Sequence, residues 1–391
     1  MYLKTLHSRS MKIAFVYDVL YPETIGGVEK RIFEIGTRLA ERGHEVHLFP
    51  MFDGSDVSII NRDGLIIHPV CRPTGLYTGG RRSVIQALRY SFHLFPVLLK
   101  MKVDIIDCQN FPYFPVIVSR LIGFLKKEKC IITWHEAWGA YWYQYLGLSG
   151  IGGRVIEKIA LLLSSSSIAV SHHTADRMRD EGYYGIPEII PNGIPLQEIR
   201  AINPADRTTD IIFIGRFIPE KHPELVVEAV RVLIRDYHDL TCTMIGDGPM
   251  MTRIVEMIHD YGLSENIHLP GFVSDYQEVI RLMKAARVFV LPSEREGFGI
   301  VCVEAMACGL PIVTTQYPLN AALDHVLPGC GYCARACADD IATGIRMFLA
   351  QSPDVFLLNE YAKNHDWDRI TSSVEEIYYR VSNENLRSRK I

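Results

Sequence analysis

Glu296 and Glu304 stand eight positions apart in the stretch Pro292-Ser-Glu-Arg-Glu296-Gly-Phe-Gly299-Ile-Val-Cys-Val-Glu304-Ala-Met-Ala-Cys-Gly309-Leu-Pro311. The apolar residues ahead of it predict a strand, the glycines a turn, and the residues from about Ile300 a helix. Backbone amides of Phe298, Gly299 and Ile300 then lie at a helix N-terminus, where unpaired N–H groups favour an anion. Glu296 precedes the turn, and Glu304 lies just over one helical turn beyond Ile300. Carboxylates accept hydrogen bonds from sugar hydroxyls, so the pair suits a ligand with both a sugar and a phosphate. The same residues also read as an acid supporting the helix dipole plus one solvated glutamate.

Two further stretches carry candidate phosphate chemistry. In Phe213-Ile-Gly215-Arg216-Phe-Ile-Pro-Glu-Lys221 a strand end delivers two cations, five residues apart, into a loop before a helix. Arg offers a planar fork and Lys a point charge, which together can clamp a diphosphate. A solvated basic loop is the other reading. In Pro22-Glu-Thr-Ile-Gly26-Gly27-Val-Glu29 a glycine pair follows a strand and opens a helix, which would let amides approach a phosphate. The full three-glycine dinucleotide fingerprint is missing there.

The elements that must position these residues alternate between short apolar runs and helical stretches. Strands are expected at Lys12–Tyr17, Glu45–Phe52, Leu65–Val70, Val103–Asp107, Cys130–His135 and Ser167–Ser171, with a helix over Gly27–Arg42. The pattern restarts at Asp210–Phe217, with a helix at Pro223–Asp236 and strands at Leu240–Ile245, Ile267–Leu269, Val288–Pro292, Pro311–Thr314 and Gly331–Arg335. Such alternation predicts an α/β chain of two Rossmann-like doubly wound domains. They are expected at residues 1–200 and 205–365, with the linker in Pro191–Asp210. In such sheets ligands collect at the carboxyl ends of strands, so a cleft between the domains is the expected site. Val355–Leu386 reads as an amphipathic helical tail, and residues 366–391 are expected to pack across the domains.

Composition narrows the function. The chain has 391 residues, 48% hydrophobic and 22% charged, with a net charge of −4. That is globular and argues against a nucleic-acid partner. Residues 1–200 hold 23 of the 41 basic and 19 of the 45 acidic residues, net +4, which leaves −8 for the rest. The longest run without Asp, Glu, Lys or Arg, Ala305–Leu323, is broken by Gly309, Pro311 and Pro318, so no bilayer span is expected. Met1–Ser10 does not read as an export signal, Met11 could be an alternative start, and a cytoplasmic location is expected. Nine scattered cysteines suit a reducing compartment. Cys330, Cys333 and Cys337 cluster without a nearby fourth ligand and read as packing residues. Asp366-Trp-Asp368 likewise reads as structural, and no metal site is expected.

The Glu296–Glu304 stretch resembles the E-x7-E motif of the retaining glycosyltransferases of family 4, which share the GT-B fold. Gly26-Gly27, Ala169-Val-Ser171, Pro191-Asn-Gly193-Ile, Gly215-Arg216 with Lys221, Gly246-Asp-Gly248-Pro249 and Pro270-Gly-Phe272-Val273 match the family in order, over most of the chain. The resemblance implies that Arg216 and Lys221 hold the donor diphosphate. It implies that Glu304 accepts from the ribose hydroxyls, and that Glu296 contacts the donor sugar with Gly297 and the amides of Phe298 and Gly299. Ile300 helps the phosphate. Phe272 and Val273 lie against the base, Gly215 and Gly248 line the donor site, and Gly26 and Gly27 approach the diphosphate from the other domain. His135, in Trp134-His-Glu136-Ala-Trp138, falls where the family has a His near the donor sugar and acceptor; Glu136 stands where Asp is commoner. The loop Gln316–Asp324 departs from the family's acidic, Gly-rich pattern.

The resemblance further implies metal-independent transfer of a sugar from a nucleotide-diphosphate sugar to a hydroxyl acceptor, such as a glycan, a lipid-linked species or a small molecule. An anomer-retaining same-face attack is implied, with charge on the leaving diphosphate stabilised electrostatically. A peripheral membrane contact is a separate expectation. Arg81, Arg82, Arg89, Lys100 and Lys102 flank the apolar helix Val84–Leu99, and Lys126, Lys127 and Lys129 add charge, as on an interfacial helix. An ordinary sheet-packing helix is the competing reading. Rival functions are a nicotinamide oxidoreductase, for which the glycine fingerprint is lacking, a nucleotide-sugar epimerase, and a GT-B binding protein that transfers nothing.

Overall fold

The computed structural model describes residues 9–53, 58–78 and 81–387. The readings on Met1–Ser8, on the side chain of Arg81 and on the chain beyond 387 lie outside the described residues. The chain divides into two compact units, Met1–Asn192 with Trp367–Ile391, and Gly193–Asp366.

Unit 1 is built on an eight-stranded sheet. Its strands are β1 (Lys12–Val16), β2 (Glu45–Leu48), β3 (Ile60–Arg62), β4 (Leu65–Ile67), β5 (Ile105–Gln109), β6 (Lys129–Trp134), β7 (Ser167–Ala169) and β8 (Glu188–Ile189), in the spatial order β8-β7-β6-β5-β1-β2-β4-β3. All neighbours pair in parallel except the β3–β4 hairpin. β5 is buried at all five positions, as expected for a strand covered on both faces. Helices α1 (Gly27–Glu41), α2 (Val84–Lys100), α3 (Phe114–Lys126) and α4 (Gly150–Leu163) connect the strands.

Unit 2 holds β9 (Ile211–Ile214), β10 (Cys242–Ile245), β11 (Ile267–Gly271), β12 (Val288–Leu291), β13 (Ile312–Thr315) and β14 (Gly331–Ala334). Their order β11-β10-β9-β12-β13-β14 is the 3-2-1-4-5-6 order of a doubly wound dinucleotide fold, and all pairs are parallel. Helices α5 (Pro223–Leu233), α6 (Tyr276–Lys284) and α7 (Ile300–Ala307) pack on it.

The tail differs from its expectation. Val355–Leu386 is two helices, α8 (Val355–Lys363) and α9 (Trp367–Arg387), and the break between them is the boundary between the units. At the break the backbone turns aside: His365 O accepts from Ile194 N at 2.7 Å, and Asp366 forms a bridge with Ile194. Helix α9 does not stand as a separate element. Its apolar stripe Trp367, Ile370, Val374, Ile377, Tyr378 and Val381 joins the core that holds Ile13, Phe15, Ile35 and Leu39 of unit 1. Asp368 accepts from Arg38 Nε at 2.8 Å, and Glu375 from Arg42 at 2.7 Å. These contacts use Asp368, next to Trp367, and Glu375 on the polar side of α9 to fasten it to α1. Cys330 is buried, Cys333 exposed, and all nine cysteines are free. No metal-binding cluster is present among the described residues.

Candidate functional site

The sheet order of unit 2 reverses between β9 and β12, and ligands bind such sheets at the carboxyl ends of the strands flanking the reversal. Lys221 follows β9 and Glu296 follows β12. Their side chains meet in a partly buried ion pair across that point. Ser293, fully buried, donates to the same Glu296 oxygen at 2.9 Å. Glu294 N donates to Glu220 O at 2.8 Å, which ties the two loops together behind the pair. The short strand Arg295–Glu296 runs parallel to Leu319–Asn320, so the loop that departs from the family's pattern holds the backbone of Glu296. Asn320 anchors that loop by donating to Thr314 Oγ1 and Thr315 O at 3.0 and 2.8 Å.

Gly299 adopts φ +82° as the N-cap of α7, a left-handed conformation that a side chain would strain. Phe298 is buried, and its carbonyl oxygen pairs with His325 Nε2 at 2.7 Å. The turn therefore has a fixed shape in front of the helix amides. Glu304, buried on α7, accepts from the Tyr276 hydroxyl of α6 at 3.0 Å. Burial, and then the charge of Glu304, raise the Tyr276 hydroxyl well above its ordinary value, so it stays a donor. Cys302, two residues before Glu304 on α7, is buried. Burial raises its thiol well above the usual range, and Glu296, Lys221 and Glu304 all act on it electrostatically. Lys221, Glu296 and Glu304 thus all lie within electrostatic reach of Cys302.

The neighbouring strand ends close on each other backbone to backbone. Phe217 N donates to Asp247 O at 2.9 Å, Met250 N to Phe217 O at 3.0 Å, and Gly246 N to Gly271 O at 2.9 Å. At Gly248, φ +156°, an added Cβ would come within 2.4 Å of Phe217 O. At Gly215 it would lie 3.3 Å from the Phe213 ring. Arg216 is exposed on this shelf, and Phe272, after β11, is 65% exposed beside the partly buried Val273. The structure thus brings Lys221, Glu296 and Glu304 together at the strand ends. Arg216, Gly215, Gly248, Phe272 and Val273 stand on adjoining loops at the same edge of the sheet, and Gly297, Phe298, Gly299 and Ile300 form the turn into α7.

In unit 1, Gly26 caps α1 and Gly27 begins it. Gly26 is extended, φ −158°, so conformation does not demand glycine there; an added Cβ would meet Glu29 Oε1 at 2.7 Å. The buried Glu29 carboxyl is raised to about 6, chiefly by burial. His135 follows β6 and pairs with Gln109 of the neighbouring strand at 2.7 Å. Burial, and then the charge of Arg31, push its imidazole down to about 3, which favours the neutral ring. Its neighbour Glu136 accepts from Trp138 Nε1 at 2.5 Å. Tyr276 and Gln109 escaped sequence reasoning because their partners Glu304 and His135 lie 28 and 26 positions away, and Ser293 and Asn320 because a single polar residue in a loop carries no spacing signal.

Residues 196–365 match the family model for glycosyl transferases group 1, and residues 25–198 match that for glycosyltransferase family 4. The chain belongs to the family 4, group 1 glycosyltransferases. The phosphatidylinositol N-acetylglucosaminyltransferase GPI3 subunit of Saccharomyces cerevisiae (strain YJM789) is 24% identical over 396 residues, covering 95% of this chain and 83% of the relative. The structure of sucrose-phosphate synthase from Thermosynechococcus elongatus superposes with a TM-score of 0.74 at 20% identity, covering 95% of this chain and 99% of the other. Anabaena Alr3699/HepE, solved in complex with UDP and glucose, gives a TM-score of 0.69 at 17% identity, over 94% and 99% of the two chains. The fold of this glycosyltransferase is GT-B, as the motifs imply.

Proposed function

We propose that this glycosyltransferase moves a sugar, with retention at the anomeric carbon, from a nucleotide-diphosphate sugar to a hydroxyl of a lipid-linked acceptor. The Lys221–Glu296 pair at the reversal of the unit 2 sheet carries the reading. The diphosphate lies against Lys221, Arg216 and the α7 amides, and Glu304 takes the ribose hydroxyls. Glu296, with Gly297, Phe298 and Gly299, faces the sugar. As the glycosidic bond breaks, negative charge grows on the β-phosphate, and fixed cations and amides stabilise it without reorganising. The attacking hydroxyl approaches from the face the diphosphate leaves and gives its proton to a phosphate oxygen. Arg216, Lys221 and the amides do the work a divalent cation would otherwise do, so the reaction proceeds in a chelator. The resemblance to the family assigns His135 to the sugar and acceptor, and Gly26 and Gly27 to the diphosphate.

The lipid acceptor finds support in unit 1 and in the phosphatidylinositol-directed name of the yeast relative. On α2 and α3, Ile85, Phe92, Phe124 and Leu125 are exposed, Phe92 at 79% and Phe124 at 82%, and on α4 Ile151, Val155 and Leu162 are exposed as well. Lys100, Lys102, Lys127 and Lys158 are exposed around these helices. An apolar face fringed by lysines suits an anionic leaflet. Among the described residues no helix is long and apolar enough to cross a membrane, so the contact is peripheral.

Incubation of the purified protein with UDP- and other nucleotide-linked sugars, with and without phosphatidylinositol-containing vesicles in EDTA, tests the reading. The expected result is transfer to lipid with the donor's anomeric configuration kept, read by NMR. An inverted product rejects retention. Turnover that only interconverts nucleotide sugars, with no acceptor consumed, makes the protein an epimerase.

A further inference from the structure

Behind His135, unit 1 builds a buried polar chain that ends on helix α9. His135 Nε2 lies 2.7 Å from Gln109 Oε1. The other side of the Gln109 amide fixes its orientation, because its Nε2 donates to Asp107 Oδ1 at 2.9 Å. Thr133 Oγ1 donates to that same oxygen at 2.7 Å, and the Tyr378 hydroxyl donates to Oδ2 at 2.5 Å. Asp107 Oδ1 already accepts two hydrogen bonds, so any proton on this carboxyl resides on Oδ2 and leaves Gln109 as it is. The amide oxygen therefore faces the imidazole. The hydrogen of the neutral ring must then sit on Nε2, which leaves Nδ1 a bare acceptor.

The surroundings hold this arrangement. Asp107, Gln109, Thr133 and Tyr378 are buried. The His135 backbone N–H donates to Asn110 Oδ1 at 2.9 Å, which fixes the main chain that carries the ring. The charged group facing the chain from α1 is Arg31, whose guanidinium donates to Pro191 O at 2.6 Å and Asn192 Oδ1 at 3.0 Å. From β5 it is Asp107, and from α9 the titratable Tyr378. With a cation nearby and little water, a protonated His135 is disfavoured.

We propose that Gln109, oriented by Asp107, is a positioning residue that locks His135 in the Nε2–H tautomer and thereby presents Nδ1 as a permanent acceptor for a substrate hydroxyl. The inference rests on the reading of His135 as a residue near the sugar and acceptor. A sugar or acceptor hydroxyl that donates to Nδ1 is held in one orientation, whereas a flipped or protonated ring would offer it a second donor.

The test uses the full chain labelled with 15N-histidine, the His135 signals being assigned by their loss in His135→Asn. Nitrogen shifts report tautomer and protonation directly. In the unmutated protein the expected result is a single Nε2–H tautomer with no titration between about pH 5.5 and 8.5. In Gln109→Met both tautomers appear and kcat falls about tenfold, the loss of one oriented hydrogen bond. Gln109→Glu keeps the Nε2 hydrogen and raises the ring's pKa, which puts an acid limb into the pH profile of kcat. An Nδ1–H tautomer or a ring titrating near 6.5 in the unmutated protein overturns the proposal without any variant. Gln109→Met with an unchanged tautomer and rate overturns it too. A locked tautomer combined with full activity in His135→Asn rejects the role of His135 in transfer and leaves the orientation by Gln109 standing, so the two failures are told apart.

Discussion

The two units hold their polar side chains in different ways. In unit 1 the chain His135–Gln109–Asp107–Tyr378 is buried and closed, each group paired with the next. In unit 2, Lys221 and Glu296 form a partly buried ion pair at open strand ends, and Arg216 is exposed. A closed buried chain fixes geometry, because each unmade hydrogen bond there is costly. Cations at strand ends keep charge available to an incoming anion. On the proposed function unit 1 orients and unit 2 attracts, and the variants below separate these two jobs.

The largest effect is expected from Trp367→Ala. This ring is fully buried in the unit 1 core, and its loss should cost about 4 kcal/mol of stability, read by thermal or denaturant unfolding. Below the melting range, affinity for a nucleoside diphosphate should stay unchanged, because the binding charge belongs to unit 2. A large loss of affinity there would erase the distinction between the units.

Lys221→Ala should lower transfer about 150-fold, the worth of one preorganised charge contact of about 3 kcal/mol. It should leave the folded baseline of circular dichroism intact. Near-normal turnover would remove the cation from the mechanism. Tyr378→Phe removes one donor from the buried Asp107 and should cost about 2 kcal/mol of stability, with a smaller effect on transfer than Lys221→Ala.

Glu29→Gln should act in the opposite sense. The folded carboxyl is raised to about 6 from an ordinary 4.5, so its stabilising contribution is complete below pH 4.5 and is lost as pH rises through 6. The neutral substitute should therefore raise stability at pH 8 by up to about 2 kcal/mol and by nothing near pH 4, read as the difference in unfolding midpoint. The smallest and most salt-sensitive effect concerns the apolar helices of unit 1. Phe92→Ser with Phe124→Ser should weaken flotation with anionic vesicles several-fold while leaving nucleotide binding alone. Equal flotation with and without these rings would dismiss that face.

The unit 2 site was legible in the sequence because its signals are local. Glu296, Gly299 and Glu304 lie within nine residues, and the strand-turn-helix they imply is the one observed, with Lys221 brought opposite by the reversal of the sheet. The alternation of apolar runs located six strands in each main sheet but missed Ile60–Arg62 and Glu188–Ile189, and some ends came out shorter, as with Glu45–Phe52 against Glu45–Leu48. The unit 1 chain was not legible. Asp107 and Tyr378 are 271 positions apart and meet only because α9 returns to unit 1. The break at Asn364–Asp366 was hidden for a related reason. The residues there carry no Pro or Gly signal, and the turn is made by pairing with Ile194.

Calorimetric titration of nucleoside diphosphates, UDP first, into the intact protein and into Lys221→Ala reports most directly on whether the strand-end charge of unit 2 holds the donor. Saturable one-to-one binding that weakens at least tenfold in the variant is the expected outcome. Binding of equal strength in both proteins, or heat from neither, would contradict the account.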